Sequence, residues 1–208
     1  TIQILNVEDG NFRPLTARTQ LEAFPSFSPD GSRIAYWYKK DGRIENIHQL
    51  WIADAAGGEG NAISDKLNRD LYLSAWLPDG KGLLVGGHNN NKTSLWIMDL
   101  AGNTTQLNLG NLSPTWGFWL DATFSKTGAI AFTASEPDKP VELYYMPSAN
   151  QLPIALTDFN AEVSKMSWGK TETLWWENEG LEQSGIVTYP VGFEKGKKYP
   201  LVLIIHGG

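Results

Sequence analysis

The sequence predicts an all-β fold, a β-propeller built from repeated four-stranded units. Three observations support this prediction. Two short motifs return at a common spacing of about 48 residues, tight-turn signals separate short apolar segments, and no ten-residue segment among the first 180 residues has a helical period. With 208 residues, 41% of them hydrophobic and nine of them Trp, the chain has ample apolar material for a buried core.

The first recurring motif is a turn tetrad. Ser-Pro-Asp-Gly at 28–31 returns as Leu-Pro-Asp-Gly at 77–80 and, in degraded form, as Ser-Lys-Thr-Gly at 125–128. Successive copies lie 49 and 48 residues apart. Because Asp-Gly favours a tight turn between antiparallel strands, each copy is expected to join the first and second strands of one repeat.

The second recurring motif is a strand signal. Leu-Trp-Ile-Ala-Asp at 50–54 returns as Leu-Trp-Ile-Met-Asp at 95–99 and as Leu-Tyr-Tyr-Met-Pro at 143–147, at spacings of 45 and 48 residues. Because both motifs recur with one period, they define a repeat. The third copy differs from the first two copies of these motifs at Lys126, Thr127 and Pro147. A looser turn is therefore expected in the third repeat.

Each complete repeat is predicted to form four strands, of which the last is a weak polar edge strand. In the first repeat the strands are expected at 24–27, 33–38, 49–54 and 61–64. In the second they are expected at 73–77, 82–86, 94–99 and 104–109, and in the third at 122–125, 129–134, 141–145 and 153–156. Most Trp and Tyr side chains are expected to pack between neighbouring sheets, since flat rings suit sheet-on-sheet contacts.

The repeat-containing part of the chain is predicted to begin and end within a repeat. Residues 2–6 fit the second motif one period earlier, and a fourth repeat is predicted to begin with strands at 165–169 and 173–177. The expected propeller therefore has three complete and two partial blades.

Two arrangements of these blades remain open. The ring is open, in which case exposed blade faces favour self-association. Alternatively, the strand pair around Ser167 and Leu174 joins the pair around Ile4 and Leu15 and closes a four-bladed ring, which lies at the lower limit for propellers.

A different pattern begins near Glu182. Residues 185–190 are predicted to form a strand, and a basic loop then leads to the continuous apolar segment 201–205, which is typical of strands buried on both faces of an α/β sheet. The chain ends in His206, Gly207 and Gly208. Taken alone, His-Gly-Gly is also compatible with a turn that ends a strand. A buried strand followed at once by His-Gly-Gly resembles the place where α/β-hydrolases form half of the oxyanion hole. This resemblance implies a β-propeller fragment at 1–180 and the N-terminal strands of an α/β-hydrolase domain at 181–208.

The repeat motifs resemble those of a known blade type. The segment 27–35 and the later Leu-Trp-Ile-x-Asp copies resemble the blade repeat shared by the periplasmic protein TolB and by the propellers of the prolyl oligopeptidase family. The resemblance covers Ile2 to about Glu177. In addition, the order of propeller, Tyr-Pro-apolar strand and His-Gly-Gly is similar to the junction in the dipeptidyl-peptidase and acylaminoacyl-peptidase branch of that family.

This resemblance implies that the longer protein is a serine peptidase. Its Ser-Asp-His triad would lie in the domain after Gly208, it would hydrolyse short peptides through an acyl-enzyme, and the propeller would restrict access to its active site. Gly208 and Gly207 are the expected oxyanion-hole residues, through their backbone N–H groups, and His206 is expected to shape the turn. Because no Gly-x-Ser-x-Gly occurs in this sequence, the fragment alone is expected to be inactive. No cofactor and no metal are implied.

A second function class stays open beside the enzyme. The same blade type serves in binding proteins, so a TolB-like propeller that acts as a protein-binding module without catalysis is the alternative. A Gly-x-Ser-x-Gly motif roughly 70 to 90 residues further along the gene would support the enzyme, and a stop codon would support the module.

Composition removes several classes of partner. A formal net charge of −6 without a Lys/Arg-rich segment gives no electrostatic footprint for nucleic acid or an anionic membrane. The chain has no Cys, which excludes disulfides and Cys-ligated zinc, and no segment approaches the roughly 20 apolar residues of a membrane span. The first residues lack the pattern of a signal peptide, and the choice between cytoplasm and periplasm stays open. The expected partners are short peptides, the hydrolase domain and the remaining blades.

The other ionisable residues receive structural interpretations. His48 and His88 are expected in loops between second and third strands. The blade-periodic carboxylates are expected to hydrogen bond at turns and strand ends; they are Asp30, Asp54, Asp79 and Asp99. No motif singles out a carboxylate for binding the amino end of a peptide among candidates such as Glu45, Glu136 and Glu142.

Overall fold

Antiparallel β-sheets make up nearly all the regular structure of this protein. The computed structural model describes residues 1–115 and 120–205. Within them, the helical segments are a short 3-10 turn at Lys40–Gly42 and one α-helix of four residues, α1 (Ala161–Ser164). The prediction of an all-β fold is therefore confirmed.

The first sheet corresponds to the first predicted repeat. Its strands, in spatial order, are β3 (Glu22–Phe27), β4 (Arg33–Lys39), β5 (His48–Asp54) and β6 (Asn61–Ala62). The predicted strands agree with these bounds to within two residues. The turn between β3 and β4 is held by the Asp30 carboxylate, which accepts hydrogen bonds from the Ser28 hydroxyl (2.6 Å) and the Ser32 N–H (3.1 Å). Gly31 occupies the left-handed position of this turn with a φ of 72°.

The second sheet repeats this order. Its strands are β7 (Leu71–Trp76), β8 (Gly82–Asn89), β9 (Lys92–Asp99) and β10 (Thr104–Gln106). The last strand is shorter than predicted. Gly87 in β8 packs directly against the preceding segment, since a Cβ at this position would lie 2.1 Å from the backbone oxygen of Asp70.

In the third sheet, the first strand of the repeat is divided into two short strands. Its strands are β11 (Ser113–Pro114), β12 (Ala122–Phe124), β13 (Ile130–Glu136), β14 (Lys139–Met146) and β15 (Ile154–Ala155). Both β11 and β12 pair with β13, at Ser135 and Phe132 respectively, so together they occupy the place of one first strand. Sequence analysis predicted only the second half of this strand.

Two hairpins flank the three sheets. The N-terminal hairpin consists of β1 (Gln3–Leu5) and β2 (Phe12–Pro14), and the C-terminal hairpin of β16 (Thr171–Asn178) and β17 (Leu181–Thr188). Among the described residues each hairpin pairs only with itself. The alternative in which the two hairpins join to close a four-bladed ring is therefore wrong for this structure.

The buried side chains form three clusters that lie between successive elements. Ile2 and Leu15 pack beside Tyr36, between the N-terminal hairpin and the first sheet. The second cluster joins the first and second sheets through Trp37 and Trp96, and the third joins the second and third sheets around Phe132. The expectation that aromatic rings pack between sheets is confirmed at these positions.

The C-terminal part departs from the sequence prediction in two places. No strand forms at 165–169, because α1 and the loop after it occupy this part of the chain. The apolar segment 201–205 is not paired with any described strand, and its side chains are 75–84% exposed. A strand is defined by its hydrogen-bonded neighbour, and no described strand neighbours this segment. The predicted division after residue 180 falls at the tip of the β16–β17 hairpin, and the division into two domains stays a prediction.

The helical segments in the described part of the chain are three and four residues long. None of them is long and apolar enough to span a membrane.

Candidate functional site

One side of the second and third sheets carries a cleft. The turn between β8 and β9, the turn between β13 and β14 and the segment that enters β16 together enclose about 880 Å³. Its charged lining residues are Lys92, Glu136, Asp138, Lys170 and Glu172. Two basic and three acidic side chains thus face a space large enough for a short peptide.

Hydrogen bonds between elements fix the walls of this cleft. The Thr93 N–H at the start of β9 donates to the Ser113 hydroxyl over 3.1 Å, which holds the second sheet against β11. Across the cleft, the Asn91 side-chain amide donates to the Thr173 hydroxyl of β16. Asn91 therefore links the turn of the second sheet to the C-terminal hairpin.

Ion pairs hold most of the charged side chains at the rim. Lys170 lies 2.6 Å from Glu172, whose other carboxylate oxygen accepts a 2.5 Å hydrogen bond from the Tyr189 hydroxyl. These two hydrogen bonds, led by that from Lys170, lower the pKa of Glu172. On the opposite wall Lys139 lies 2.6 Å from Glu136, and this hydrogen bond raises the pKa of Lys139.

A row of four rings runs across the first and second sheets towards the cleft. Trp37 and His48 have ring centroids 5.6 Å apart, His48 and Tyr72 lie 6.1 Å apart, and Tyr72 and His88 lie 5.0 Å apart. His88 also lines a recess of about 580 Å³ that shares Asn91 with the cleft. The row and the cleft therefore form one continuous surface.

The positions of the two histidines correct the sequence prediction. His48 is the first residue of β5 and His88 lies in β8, and neither is in a loop. These strands extend further towards the turn than the sequence indicated, because the alternation of polar and apolar residues weakens there. Both side chains are consequently half-buried instead of free in a loop.

Asp70 organises this row of rings. One carboxylate oxygen accepts a hydrogen bond from the backbone N–H of His48 (2.7 Å) and lies 2.9 Å from the ring Nδ1 of the same residue. The other oxygen accepts a hydrogen bond from the Tyr72 hydroxyl (2.8 Å). Burial alone would raise the pKa of Asp70, but the hydrogen bonds from His48 and Tyr72 outweigh it and lower this pKa to about 2. Burial and the bond to Asp70 raise the pKa of Tyr72.

The hydrogen bonds of Asp70 to His48 and Tyr72 fix the orientation of these two rings. The raised pKa keeps the Tyr72 phenol protonated, so it is a poor nucleophile. Among residues 1–115 and 120–205, no group of three His, Cys, Asp or Glu side chains is arranged to hold a metal ion. Hydrogen-bonding groups, aromatic rings and charged side chains make up the surface.

The residues singled out from sequence have different locations. Gly207 and Gly208, the predicted oxyanion-hole residues, lie with His206 outside the described part of the chain. Glu136 reaches the cleft, whereas Glu45 is exposed on the loop before β5, and Glu142 binds Thr157 and the Asn160 N–H. No motif marked Asp70, Tyr72, Lys92 or Asp138 in advance, since their proximity depends on contacts between repeats.

The four blade-periodic carboxylates have the predicted structural role. Each accepts a hydrogen bond from a backbone N–H two residues further on, at Ser32, Ala56, Lys81 and Ala101. The prediction of turn and strand-end bonding is confirmed at Asp30, Asp54, Asp79 and Asp99.

Comparison with known proteins gives relatives over most of the chain. No family model matches it. Dipeptidyl-peptidase 5 of Aspergillus fumigatus is 25% identical over 195 residues, which covers 88% of this chain and 26% of the relative. Dipeptidyl-peptidase 5 of Porphyromonas gingivalis is 27% identical over 192 residues, covering 90% of this chain and 27% of the relative. The chain thus spans about a quarter of the length of the curated relatives it matches.

Solved structures show the same fold. An acylaminoacyl peptidase of Pyrococcus horikoshii matches with a TM-score of 0.64 at 18% identity, over 86% of this chain and 26% of that one. An acylaminoacyl peptidase in complex with Z-Gly-Gly-Phe-chloromethyl ketone matches with a TM-score of 0.68 at 19% identity, over 92% of this chain and 28% of that one. In sequence and fold together, this chain corresponds to the propeller region of the peptidases of the prolyl oligopeptidase family.

Proposed function

We propose that this chain is the substrate-gating propeller portion of a serine peptidase that hydrolyses short peptides through an acyl-enzyme. The main support for this proposal is the position at which the chain leaves the sheets. After β17, the Tyr189 N–H donates to the Lys170 backbone oxygen over 2.9 Å, so residues 189–205 start at the wall of the cleft. A catalytic domain that follows would therefore begin beside the cleft and its row of rings.

The proposal includes a domain organisation. The three sheets and the N-terminal hairpin represent three complete blades and one partial blade of a larger propeller, and a hydrolase domain begins near the C-terminus. The sequence placed the boundary after residue 180, but a boundary inside an eight-pair hairpin would separate hydrogen-bonded strands. Since β16 and β17 pair with no described strand of the sheets, we place the boundary in the loop before Thr171. The cleft then lies between the two domains, which is a common location for binding sites.

Within this scheme the triad and the oxyanion hole belong to the catalytic domain. Gly207 and Gly208 would supply backbone N–H groups to the developing oxyanion, and the serine would lie further along the gene. The propeller would contribute the cleft walls, which limit the size of a peptide that reaches the serine.

The first experiment tests the catalytic assignment. The full-length protein is assayed with alanyl-prolyl and acyl-alanyl anilides, with and without a serine-directed fluorophosphonate, beside the 208-residue chain. We expect activity only in the full-length protein, abolished by the reagent. If the full-length protein is neither active nor labelled, the proposal fails and a protein-binding module becomes the better assignment.

A second experiment tests the gating role. Ser135 lines the cleft, so Ser135→Trp in the full-length enzyme should narrow it and lower kcat/KM more for a hexapeptide substrate than for a dipeptidyl anilide. The control Lys126→Trp places the same ring on the exposed turn at the opposite end of β13. Equal losses for long and short substrates, or equal effects of the two variants, would contradict gating by the cleft.

A further inference from the structure

A smaller recess opens beside the cleft, between β9 and the segment that follows β10. It encloses about 350 Å³ and is bordered by Asn89, Lys92, Ser94, Gln106 and Asn108. Lys92 also borders the main cleft, so the two spaces meet at this side chain. No Asp or Glu is present among the described residues that line the recess.

The floor of the recess presents hydrogen-bond donors. Ser94 is buried, and its hydroxyl oxygen lies 3.4 Å from the Asn89 amide nitrogen and 3.3 Å from that of Gln106. Because its oxygen already accepts these two N–H groups, the hydroxyl has its own proton left to donate. Asn89 is oriented for this by Arg69, whose Nε donates to the Asn89 side-chain oxygen over 3.2 Å.

The rim adds further donors and a charge. The Asn108 side-chain oxygen accepts the Gly110 N–H at 3.2 Å, which leaves the Asn108 amide N–H groups for a ligand. In the described part of the chain, the Lys92 ammonium forms no ion pair. This distinguishes it from Lys170, which lines the same cleft and pairs with Glu172, and from Lys139, which pairs with Glu136. The guanidinium of Arg69 behind Asn89 makes the local potential more positive.

These observations select one class of ligand. A carboxylate accepts hydrogen bonds and carries a negative charge, so it complements a recess rich in donors, free of acids and bordered by an unpaired ammonium. A cation would find no charged ligand there, and a neutral polyol could accept hydrogen bonds but would leave the positive charge uncompensated.

We propose that this recess, with Lys92 at its entrance, is a carboxylate-binding subsite for peptides that lie in the cleft. The identification of the ligand as a peptide rests on the proposed function, whereas the preference for a carboxylate rests on the recess itself. Lys92 is then a specificity-determining residue, which favours peptides that present a free carboxyl group at this distance along the cleft.

The test uses the 208-residue chain and does not depend on catalysis. Amide chemical shifts are followed by NMR during titration with tri-alanine, with tri-alanine amide, and with Ala-Glu-Ala amide, in which only the side chain carries a carboxylate. We expect tri-alanine to bind about fivefold more tightly than its amide, with shifts at Lys92 and Gly110. Binding of Ala-Glu-Ala amide at the strength of tri-alanine would identify side-chain carboxylates as ligands, and weak binding would restrict the site to the terminal carboxylate.

Substitutions at Lys92 test whether this side chain causes the preference for the carboxylate. Lys92→Met should abolish the preference for the acid over the amide, and Lys92→Arg should retain it. Lys139→Met is the matched control, since Lys139 is ion-paired with Glu136 and does not border the recess. Equal affinity for acid and amide, absence of binding by both, or an unchanged preference in Lys92→Met would each overturn the subsite. Because fluorophosphonate labelling of the full-length protein tests catalysis separately, the two proposals can fail independently.

Discussion

Asp70 shows how much of this surface depends on single side chains. It lies in the link between the first and second sheets and joins His48 of one sheet to Tyr72 of the other. The sequence did not mark it, because it belongs to no repeated motif and its partners are 22 and 2 residues away. Contacts of this kind depend on how neighbouring repeats are packed, which periodicity alone does not specify.

The low pKa of Asp70 predicts a pH dependence of stability. A carboxylate whose pKa is about 2 in the folded protein and roughly 3.9 when unfolded stabilises the fold above about pH 4 and loses this contribution as the pH falls towards 2. We therefore expect the urea midpoint of the wild type to fall across this range, and that of Asp70→Asn to be lower at pH 7 and to fall less. Asp138→Asn, which changes an exposed carboxylate, should keep the wild-type slope. If the urea midpoints of Asp70→Asn and the wild type change in parallel with pH, the low pKa of Asp70 does not contribute to this pH dependence.

Another carboxylate, that of Glu22, ties the N-terminal hairpin to the first sheet. The Glu22 side chain is fully buried, accepts the Ile2 N–H over 3.1 Å and the Thr16 hydroxyl proton, and lies 3.6 Å from Arg18 Nε. It therefore holds three groups from the segment that precedes β3.

Loss of this carboxylate should loosen the hairpin first. Glu22→Gln removes the buried negative charge and should cost about 1–3 kcal/mol, with hydrogen exchange accelerated at 2–16 and unchanged in the third sheet. Glu59→Gln is the control, since its side chain is 53% exposed and its pair with Arg18 should contribute less than about 1 kcal/mol. Uniform acceleration across all sheets would contradict a local role.

At the scale of elements, the repeat predicted most strands correctly. The period and the Asp-Gly turns located the strands of the first sheet to within two residues, because apolar alternation and turn chemistry are local properties. The prediction was wrong at 165–169, where a loop follows α1, and it missed β11, whose two residues are too few to show a pattern. The cleft was not predicted, since its walls come from separate repeats and from the C-terminal hairpin.

The bond from Asn91 to Thr173 predicts the behaviour of the C-terminal hairpin. Asn91→Ala should free the hairpin and increase the rate of proteolysis in the loop 165–170 several-fold, with little change in the global urea midpoint. Thr173→Val should have the same effect, and the double variant should add nothing further. Asn111→Ala serves as the control, because Asn111 lines the same cleft without bonding to the hairpin within the described structure. Additive effects of the two substitutions would contradict a direct bond.

At the scale of the whole molecule, the outer side of the third sheet is apolar and uncovered. Leu143, Ile154 and Leu156 are 36%, 53% and 54% exposed, and Trp175 on the C-terminal hairpin is 53% exposed. Large uncovered apolar surfaces promote association in water.

We expect the 208-residue chain to self-associate in a concentration-dependent manner, measured by sedimentation velocity. Ile154→Lys should weaken this association, because it places a charge in the uncovered surface. Val7→Lys is the control, since Val7 is 87% exposed on the turn of the N-terminal hairpin. A monomer at high concentration in the wild type would show that these side chains do not drive association.

The division of the buried side chains into three clusters has a further consequence for how the molecule unfolds. Each cluster joins only two neighbouring elements, so stability is a sum of nearest-neighbour couplings along a line. The first and second sheets each belong to two clusters and should be the last to open, whereas the N-terminal hairpin and the third sheet each belong to one cluster and should fray first. A destabilising substitution at Phe132 would then lower the protection of third-sheet amides against hydrogen exchange, while the amides of the N-terminal hairpin keep theirs. The effect of a substitution should therefore decrease with the number of elements that separate it from the amide observed.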